Sequence, residues 1–214
     1  MKADLHVHTY YSSCSKAKIN DILKSAQRKG MDVIAITDHN TIRGALEAKR
    51  VNPYTDLRII IGVEKKCEYG ELLIYNVKKE IVSKKFADIL KDAKKQNCFV
   101  FIAHPFDFFR FTTKWSNFEE NVLGSVDGIE VFNGRNAFNY KSKSLYEKSG
   151  LKGVAGSDSH FPEEIGNAYV EYKNDLWNEI LSRKAEFRIK NMFINKIKYL
   201  LKSFFNKWFL RKKL

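Results

Sequence analysis

Cysteine is scarce in this chain of 214 residues: there are three, Cys14, Cys67 and Cys98, far apart and without a CxxC pair. An odd, scattered count excludes a disulfide framework and fits a reducing compartment. Proline is scarce too, at three residues, and no low-complexity linker interrupts the chain. No internal repeat is visible, which leaves one domain of ordinary size with its one natural boundary near 172–190. No apolar run approaches the roughly 20 residues of a membrane span. The first apolar run is short and already carries Asp4, His6 and His8, unlike the core of a secretory signal. A cytoplasmic protein is therefore expected. Acids are missing mainly from one end. Residues 183–214 hold eleven Lys/Arg against a single acid, Glu186, about +10 of the total +13, so the rest of the chain is near neutral.

Hydrophobic residues make up 44% of the chain, enough for a real core. They fall in an alternating pattern. LHV near the start is followed by the amphipathic INDILKSAQRKG, with Ile22, Leu23 and Ala26 on one face and Gly30 as its stop. DVIAIT (32–37) reads as a buried strand, and TIRGALEAKR as a helix capped by Thr41. RIIIGV (58–63) and ELLIYNV (71–77) are the next strands. SKKFADILKDAKKQN is a helix with Ser83 as its cap, and CFVFIA (98–103), GIEVF (128–132) and GVAGS (153–157) complete the strands. Seven short apolar strands alternating with amphipathic helices predict parallel β/α units and favour a barrel over an open sheet.

The histidines stand in a pattern of their own. All five, His6, His8, His39, His104 and His160, fall at or just beyond the end of a predicted strand, in the words HVH, TDHN, AHP and SDSH. Glu64 and Asp158 occupy matching places. In a β/α barrel, residues at the C-terminal strand ends converge on one pocket. His-x-His on a strand places both imidazoles on one face, so His6 and His8 can grip one metal ion. Neutral imidazole and carboxylate suit zinc, manganese or ferrous iron.

The residues resemble the PHP family, named for polymerase and histidinol phosphatase domains. DLHVHT (4–9), ITDHN (36–40), GVE (62–64), HP (104–105) and GSDSH (156–160) follow that family's order and spacing, and EIGNAYVEY (164–172) resembles the segment that follows in small members. The resemblance covers about residues 1–172. It implies a distorted (β/α)7 TIM-like barrel holding two or three divalent metal ions (Mn, Zn or Fe) and hydrolysing phosphate esters. It places His6 and His8 on a first metal with Glu64 and Asp158. Glu64 then bridges to a second metal, also held by His104, and His39 and His160 serve a third. Two departures stand out. HTYYSSC puts Ser13 where the family often has an aspartate for the third site, with Cys14 next to it. GELL puts Glu71 where a histidine often lies. Glu71 is read as a ligand, and a two-metal centre as the expectation.

The mechanism this implies is attack on phosphorus by metal-activated water. Asp158 or His160 relays a proton to the leaving group, and Asp4 and Asp38 orient ligating imidazoles. Arg43, Arg110 and Arg135 lie in predicted loops at the rim and are candidate anchors for phosphate. Phe106, Phe108, Phe109, Phe111 and Trp115 share one long loop, suited to stacking on a base or to covering the barrel. Expected substrates are nucleotides, short oligonucleotides or small phosphorylated metabolites. A hydrolase of carbon–nitrogen bonds and a non-catalytic module tethered by its tail are the alternatives.

Residues 173–214 are expected to form a basic amphipathic helical tail after a barrel of residues 1–172. Phe193, Ile197, Leu200, Leu201, Phe204 and Trp208 recur at helical spacing among lysines. Such a helix fits three roles: packing on the barrel or a second copy, lying at an anionic membrane surface, or binding nucleic acid.

Overall fold

The computed structural model describes residues 1–107, 120–136 and 138–190. Its strands are β1 (Lys2–Val7), β2 (Val33–Ile36), β3 (Arg58–Cys67), β4 (Gly70–Tyr75), β5 (Phe99–Ile102), β6 (Gly128–Asn133), β7 (Lys152–Gly156), β8 (Ala168–Glu171) and β9 (Glu186–Ile189). The helices are α1 (Ile19–Arg28), α2 (Arg43–Val51), α3 (Phe86–Lys95), α4 (Glu120–Leu123), α5 (Asn139–Ser149) and α6 (Leu176–Leu181). The strands form one sheet in the order β7-β6-β5-β4-β3-β2-β1-β8-β9. Val7, at the end of β1, bridges Ser159 just beyond β7, so the sheet curls into a nearly closed α/β barrel.

Strand periodicity explains where the core sits. Val33, Ala35, Leu73 and Phe101 belong to one buried cluster with Leu5, Tyr75 and Val154, inside the barrel. Their neighbours Ile34 and Ile36 pack outward on Ile22, Leu23 and Ala45 of α1 and α2. Leu72 and Ile102 pack on Ile89 and Ala93 of α3. Strands covered on both faces read as continuous apolar runs, which is why VIAI and LLIY carry no polar alternation. Tyr75 donates its hydroxyl to Leu5 O at 2.9 Å, satisfying the one polar atom it brings into the barrel.

Three expectations change. β4 runs antiparallel to both β3 and β5, breaking the run of parallel β/α units. Only Glu68 and Tyr69 separate β3 from β4, and a parallel crossover needs a dozen residues or more. The helix caps also differ. The residues preceding α2 and α3 are Ile42 and Lys85, neither with a side-chain cap bond, although Thr41 Oγ1, one residue earlier, still accepts from Arg43 N at 3.2 Å. Instead Glu80 accepts from Ile42 N (3.1 Å) and Thr41 Oγ1 (2.9 Å), while Glu68 accepts from Phe86 N (2.8 Å). Ser83 donates to Asp92 at 2.5 Å. Last, the expected tail begins too early. Leu176, Ile180 and Ala185 are core residues, Trp177 stacks on Phe99 with ring centroids 4.6 Å apart, and β9 pairs with β8. The barrel unit therefore runs at least to Ile189. The rest of the tail lies outside the described residues.

Candidate metal centre

The cluster is built at the C-terminal rim of the parallel strands. His6 and His8 leave the end of β1 on one face, with Nε2 atoms 3.1 Å apart. Both rings meet carboxylates. His6 Nε2 lies 3.4 Å from Glu64 Oε2 and 3.6 Å from Asp158 Oδ1; His8 Nε2 lies 3.2 Å from each. His39, from the loop after β2, brings Nδ1 to 3.1 Å from Glu64 Oε2. His104, just beyond β5, approaches the other oxygen, Glu64 Oε1, at 2.8 Å. Glu71 joins from the start of β4, which an antiparallel strand delivers to this same rim. Its oxygens lie 3.7 Å from His39 Nδ1 and 3.6 Å from His104 Nε2.

Donor atoms of His6, His8 and Asp158, of His6, Glu64 and His104, and of His39, Glu64 and Glu71 each lie within 4.8 Å of one another. His8, Cys14 and His39 form a fourth such group. His160 joins none of the four: its Nδ1 is turned to the backbone O of Asp158 at 2.9 Å. Its ring still stands 4.6 Å from that of His8, centroid to centroid.

Two of the candidate ligands sit in strained backbone. His104 (φ 27°) and Asp158 (φ 54°) adopt the left-handed region without being glycine, at about 1–3 kcal/mol each. Neighbouring bonds hold them there. His104 N donates to Glu130 at 2.7 Å, and around Asp158, Ser157 N donates to Asp4 at 2.8 Å and His160 N to Glu164 at 2.6 Å.

Electrostatics favour a cation. Burial opposes a charge on His6, but Glu130, Asp158 and Glu64 outweigh it and hold this imidazole well above its ordinary pKa. Burial likewise opposes a charged Glu64, yet His6, His104 and His8 hold its carboxyl well below the usual range. Burial pushes His39 down, and His160 well down, with the charge of His8 adding to the effect on His160.

Several supporting residues escaped the sequence reading. Glu130 accepts from His6 Nδ1 (2.9 Å), His104 N (2.7 Å) and Asn133 Nδ2 (3.1 Å), so it orients two ligands at once. An acid inside the apolar run GIEVF was the available signal. Ser12 links Asp38 to the site: its Oγ contacts His8 Nδ1 at 3.1 Å and donates to Asp38 at 2.7 Å. Asp38 thus orients an imidazole through Ser12. Asp4 does not touch a ring. It accepts from His6 N, Ser157 N and Gly166 N, stapling β1 to the segments that close the barrel. Burial lifts its pKa to about 6, partly offset by these bonds.

The arginines are placed unevenly. Arg135 forks onto the buried Glu164, with Nε and Nη2 both 3.1 Å from Oε1, and Glu164 in turn holds the backbone of His160 and Phe161. Arg43 lies over the ring of Tyr11 at 5.2 Å, outside the cluster. Arg110 and the aromatics Phe108, Phe109, Phe111 and Trp115 fall outside the described residues. Ser13 is exposed.

Fold and cluster together define an α/β barrel with a candidate metal centre at its rim. The chain belongs to the PHP domain family, whose model matches residues 4–196. An uncharacterized protein of Methanocaldococcus jannaschii is 33% identical over 145 residues, 62% of this chain and 82% of the relative. Among solved structures, a two-domain protein from Bacteroides vulgatus containing a predicted PHP-like metal-dependent phosphoesterase superposes with a TM-score of 0.76 at 19% identity, covering 89% of this chain and 65% of that one. The lesion-specific endonuclease Q of Pyrococcus furiosus superposes with a TM-score of 0.64 at 16% identity, covering 87% of this chain and 57% of that one. At such identities the likeness is one of fold. Among the described residues, no helix is long and apolar enough to cross a membrane.

Proposed function

We propose that this chain is a metal-dependent hydrolase of phosphate esters, acting on nucleotides, short oligonucleotides or small phosphorylated metabolites. The observation that carries the reading is Glu64, a fully buried carboxylate with imidazoles converging on both oxygens: His6, His8 and His39 on Oε2, His104 on Oε1. One carboxylate shared between two cations fits that arrangement. His6, His8 and Asp158 would hold the first ion, His104 and Glu71 the second, with His39 beside them. This donor set suits zinc, manganese or ferrous iron. Bound divalent ions of this kind supply Lewis acidity toward a phosphoryl oxygen and a nucleophilic water near neutral pH.

The chain's own residues do the rest. Glu130 and Ser12 fix the ring orientations of His6 and His8. His160, kept neutral by burial and with Nδ1 donating to Asp158 O, offers Nε2 as an acceptor. His160 or Asp158 is assigned to relay a proton to the leaving oxygen. Arg135, held beside His160 through Glu164, is assigned to the phosphate's outer oxygens, with Arg43 and Arg110 as further candidates. The likeness in fold to endonuclease Q supports the nucleic-acid end of the substrate range, as do the lysines of residues 191–214.

Elemental analysis of the purified protein, paired with a phosphate-release screen over nucleotides and sugar phosphates with added manganese, tests the proposal. Two or more metals per chain with turnover of a phosphate ester are expected. His8→Ala is expected to abolish that turnover and to lower the bound metal. Bound metal without any phosphate release would point to another bond, carbon–nitrogen first. Full activity with normal metal content in His8→Ala would sink the assignment.

A further inference from the structure

We propose that Cys14 is a metal ligand, and that with His39 it forms a third cation position with a thiolate donor, beside the His8 that serves the first ion. The inference rests on the metal-hydrolase reading above and adds a residue to it. Its basis is the juxtaposition of three donors from two loops. Cys14 Sγ and one ring nitrogen each of His8 and His39 all lie within 4.8 Å of one another. That spacing is what donors around a single ion require, since zinc bonds sulfur at about 2.3 Å and imidazole at about 2.0 Å.

The three donors are held in place by bonds that centre on Ser12. His39 is fixed at its backbone, where its N–H donates to Ser12 Oγ at 2.9 Å. The same hydroxyl contacts His8 Nδ1, so Ser12 ties both histidines into one frame. Cys14 rides on a loop closed by Tyr10 N to Ala17 O at 3.0 Å and by Ser15 N to Ser12 O at 3.0 Å. Ser15 Oγ then anchors that loop to the far side of the rim, at His160 O, 3.1 Å away. His8 Nε2 already faces Glu64 and Asp158, so Cys14 and His39 are the donors specific to this position and His8 is its link to the first ion.

The other two cysteines behave differently. Cys67 is buried, and burial raises its thiol; Cys98 is half-buried, with its thiol pushed up to about 11. Neither belongs to a donor cluster among the described residues. Cys14 is exposed at the rim, where an arriving ion can reach it. Binding replaces the thiol proton with the metal, and the proton leaves to solvent. A sulfur donor also sets a preference. Thiolate with imidazole favours zinc, ferrous iron or cobalt, whereas an all-oxygen or carboxylate position favours magnesium or manganese. The chain is therefore a mixed-metal centre: a His/carboxylate pair of ions beside a sulfur-bound third.

Cobalt substitution tests this without relying on turnover. The full chain is stripped with a chelator and reloaded with Co(II), and the near-ultraviolet absorption is followed for thiolate-to-cobalt charge transfer. The expected result is a charge-transfer band in the wild type, in Cys67→Ser and in Cys98→Ser, and its loss in Cys14→Ser together with one equivalent of bound metal. Cys14→Asp should recover the stoichiometry without the band and shift that position toward manganese. Zinc should also protect Cys14 from alkylation, with protection removed by chelator. Persistence of the band in Cys14→Ser, or unchanged stoichiometry in that variant, would overturn the inference. Two ions without a thiolate band would overturn it while leaving the phosphoesterase reading intact, whereas no bound metal at all would overturn both.

Discussion

Glu64 takes imidazoles on both oxygens while Glu130, one strand layer behind, accepts from the ring of His6 and the backbone of His104. On the proposed reading the two acids divide the labour of the site, Glu64 to hold a cation and Glu130 to aim the groups that would hold it. Removing the second should therefore weaken binding without deleting a ligand. Glu130→Ala is expected to lower metal affinity about 10–100-fold, the usual cost of losing such an orienting partner. A competition titration with a metal-sensitive dye measures it, and wild-type affinity would contradict the role. His6 gives a second prediction. Burial opposes its charge, but Glu130, Asp158 and Glu64 outweigh it, favour the protonated ring and hold its pKa well above the ordinary value. Loading a cation onto its Nε2 must expel that proton, so loading releases protons at pH 7 and weakens as the pH falls. The same raised pKa contributes stability that is present below the unfolded value near 6.5 and is lost as pH rises through the folded value. Calorimetry in two buffers of different ionisation enthalpy checks the release; identical heats would refute it. At this scale the histidines were legible in the sequence, because strand ends in a β/α pattern announce themselves. Glu130 and Glu164 were not, since an acid that serves a neighbour's backbone has no spacing rule.

Elements in this barrel approach closely where the site needs them. A Cβ on Gly156 would fall on the backbone N and Cβ of His6, so β7 and β1 touch only because position 156 has no side chain. A Cβ on Gly44 would meet Asp38 Oδ2 and Thr9 Oγ1, the pair beneath the His8 support. Gly156→Ala is expected to cost about 1–3 kcal/mol or more through forced separation of the strands. Urea denaturation would read this as a lower midpoint at unchanged slope; an unshifted midpoint would mean that β7 yields freely. Strands β1 to β7 and the helices α1 to α3 could be placed from apolar periodicity, whereas β8 and β9 went unread. The β3–β4 hairpin could have been, since the seven residues between the strands read from sequence are too few for a parallel crossover, but alternation of strand and helix elsewhere disguised it. The caps could not: Glu68 and Glu80 reach α3 and α2 from distant segments, and local sequence carries no trace of that.

For the whole molecule, a cation that binds the folded chain and not the unfolded one would stabilise the fold by mass action. An ion present at about 100 times its dissociation constant adds roughly 2.7 kcal/mol. In a protein of this size that corresponds to about 5–10 °C in Tm, so chelation should lower the melting temperature by that order and zinc or manganese should restore it. Equal melting curves would argue against a resident cation. Deleting residues 191–214 asks a separate question. β9 and α6 remain in that shortened chain, so the barrel is expected to keep its melting temperature. Lost binding to anionic vesicles or to nucleic acid would then name the tail's partner, and an unfolded barrel would assign the tail to packing.

The closure of the barrel also sets a timetable. β1 is bounded by β2 on one side and, on the other, by β8 and the segment around Ser159; Met1 N itself donates to Tyr172 O at 2.8 Å. His6 and His8 are synthesised about 150 residues ahead of Asp158. At about 5–20 residues per second, that is a wait of roughly eight to thirty seconds on the ribosome. During that interval the histidine pair lacks Asp158 and the strand edge that seats it. On the proposed ligand set, tight capture of a cation on β1 would therefore be a late event in the life of each new chain, coincident with the last turn of the barrel.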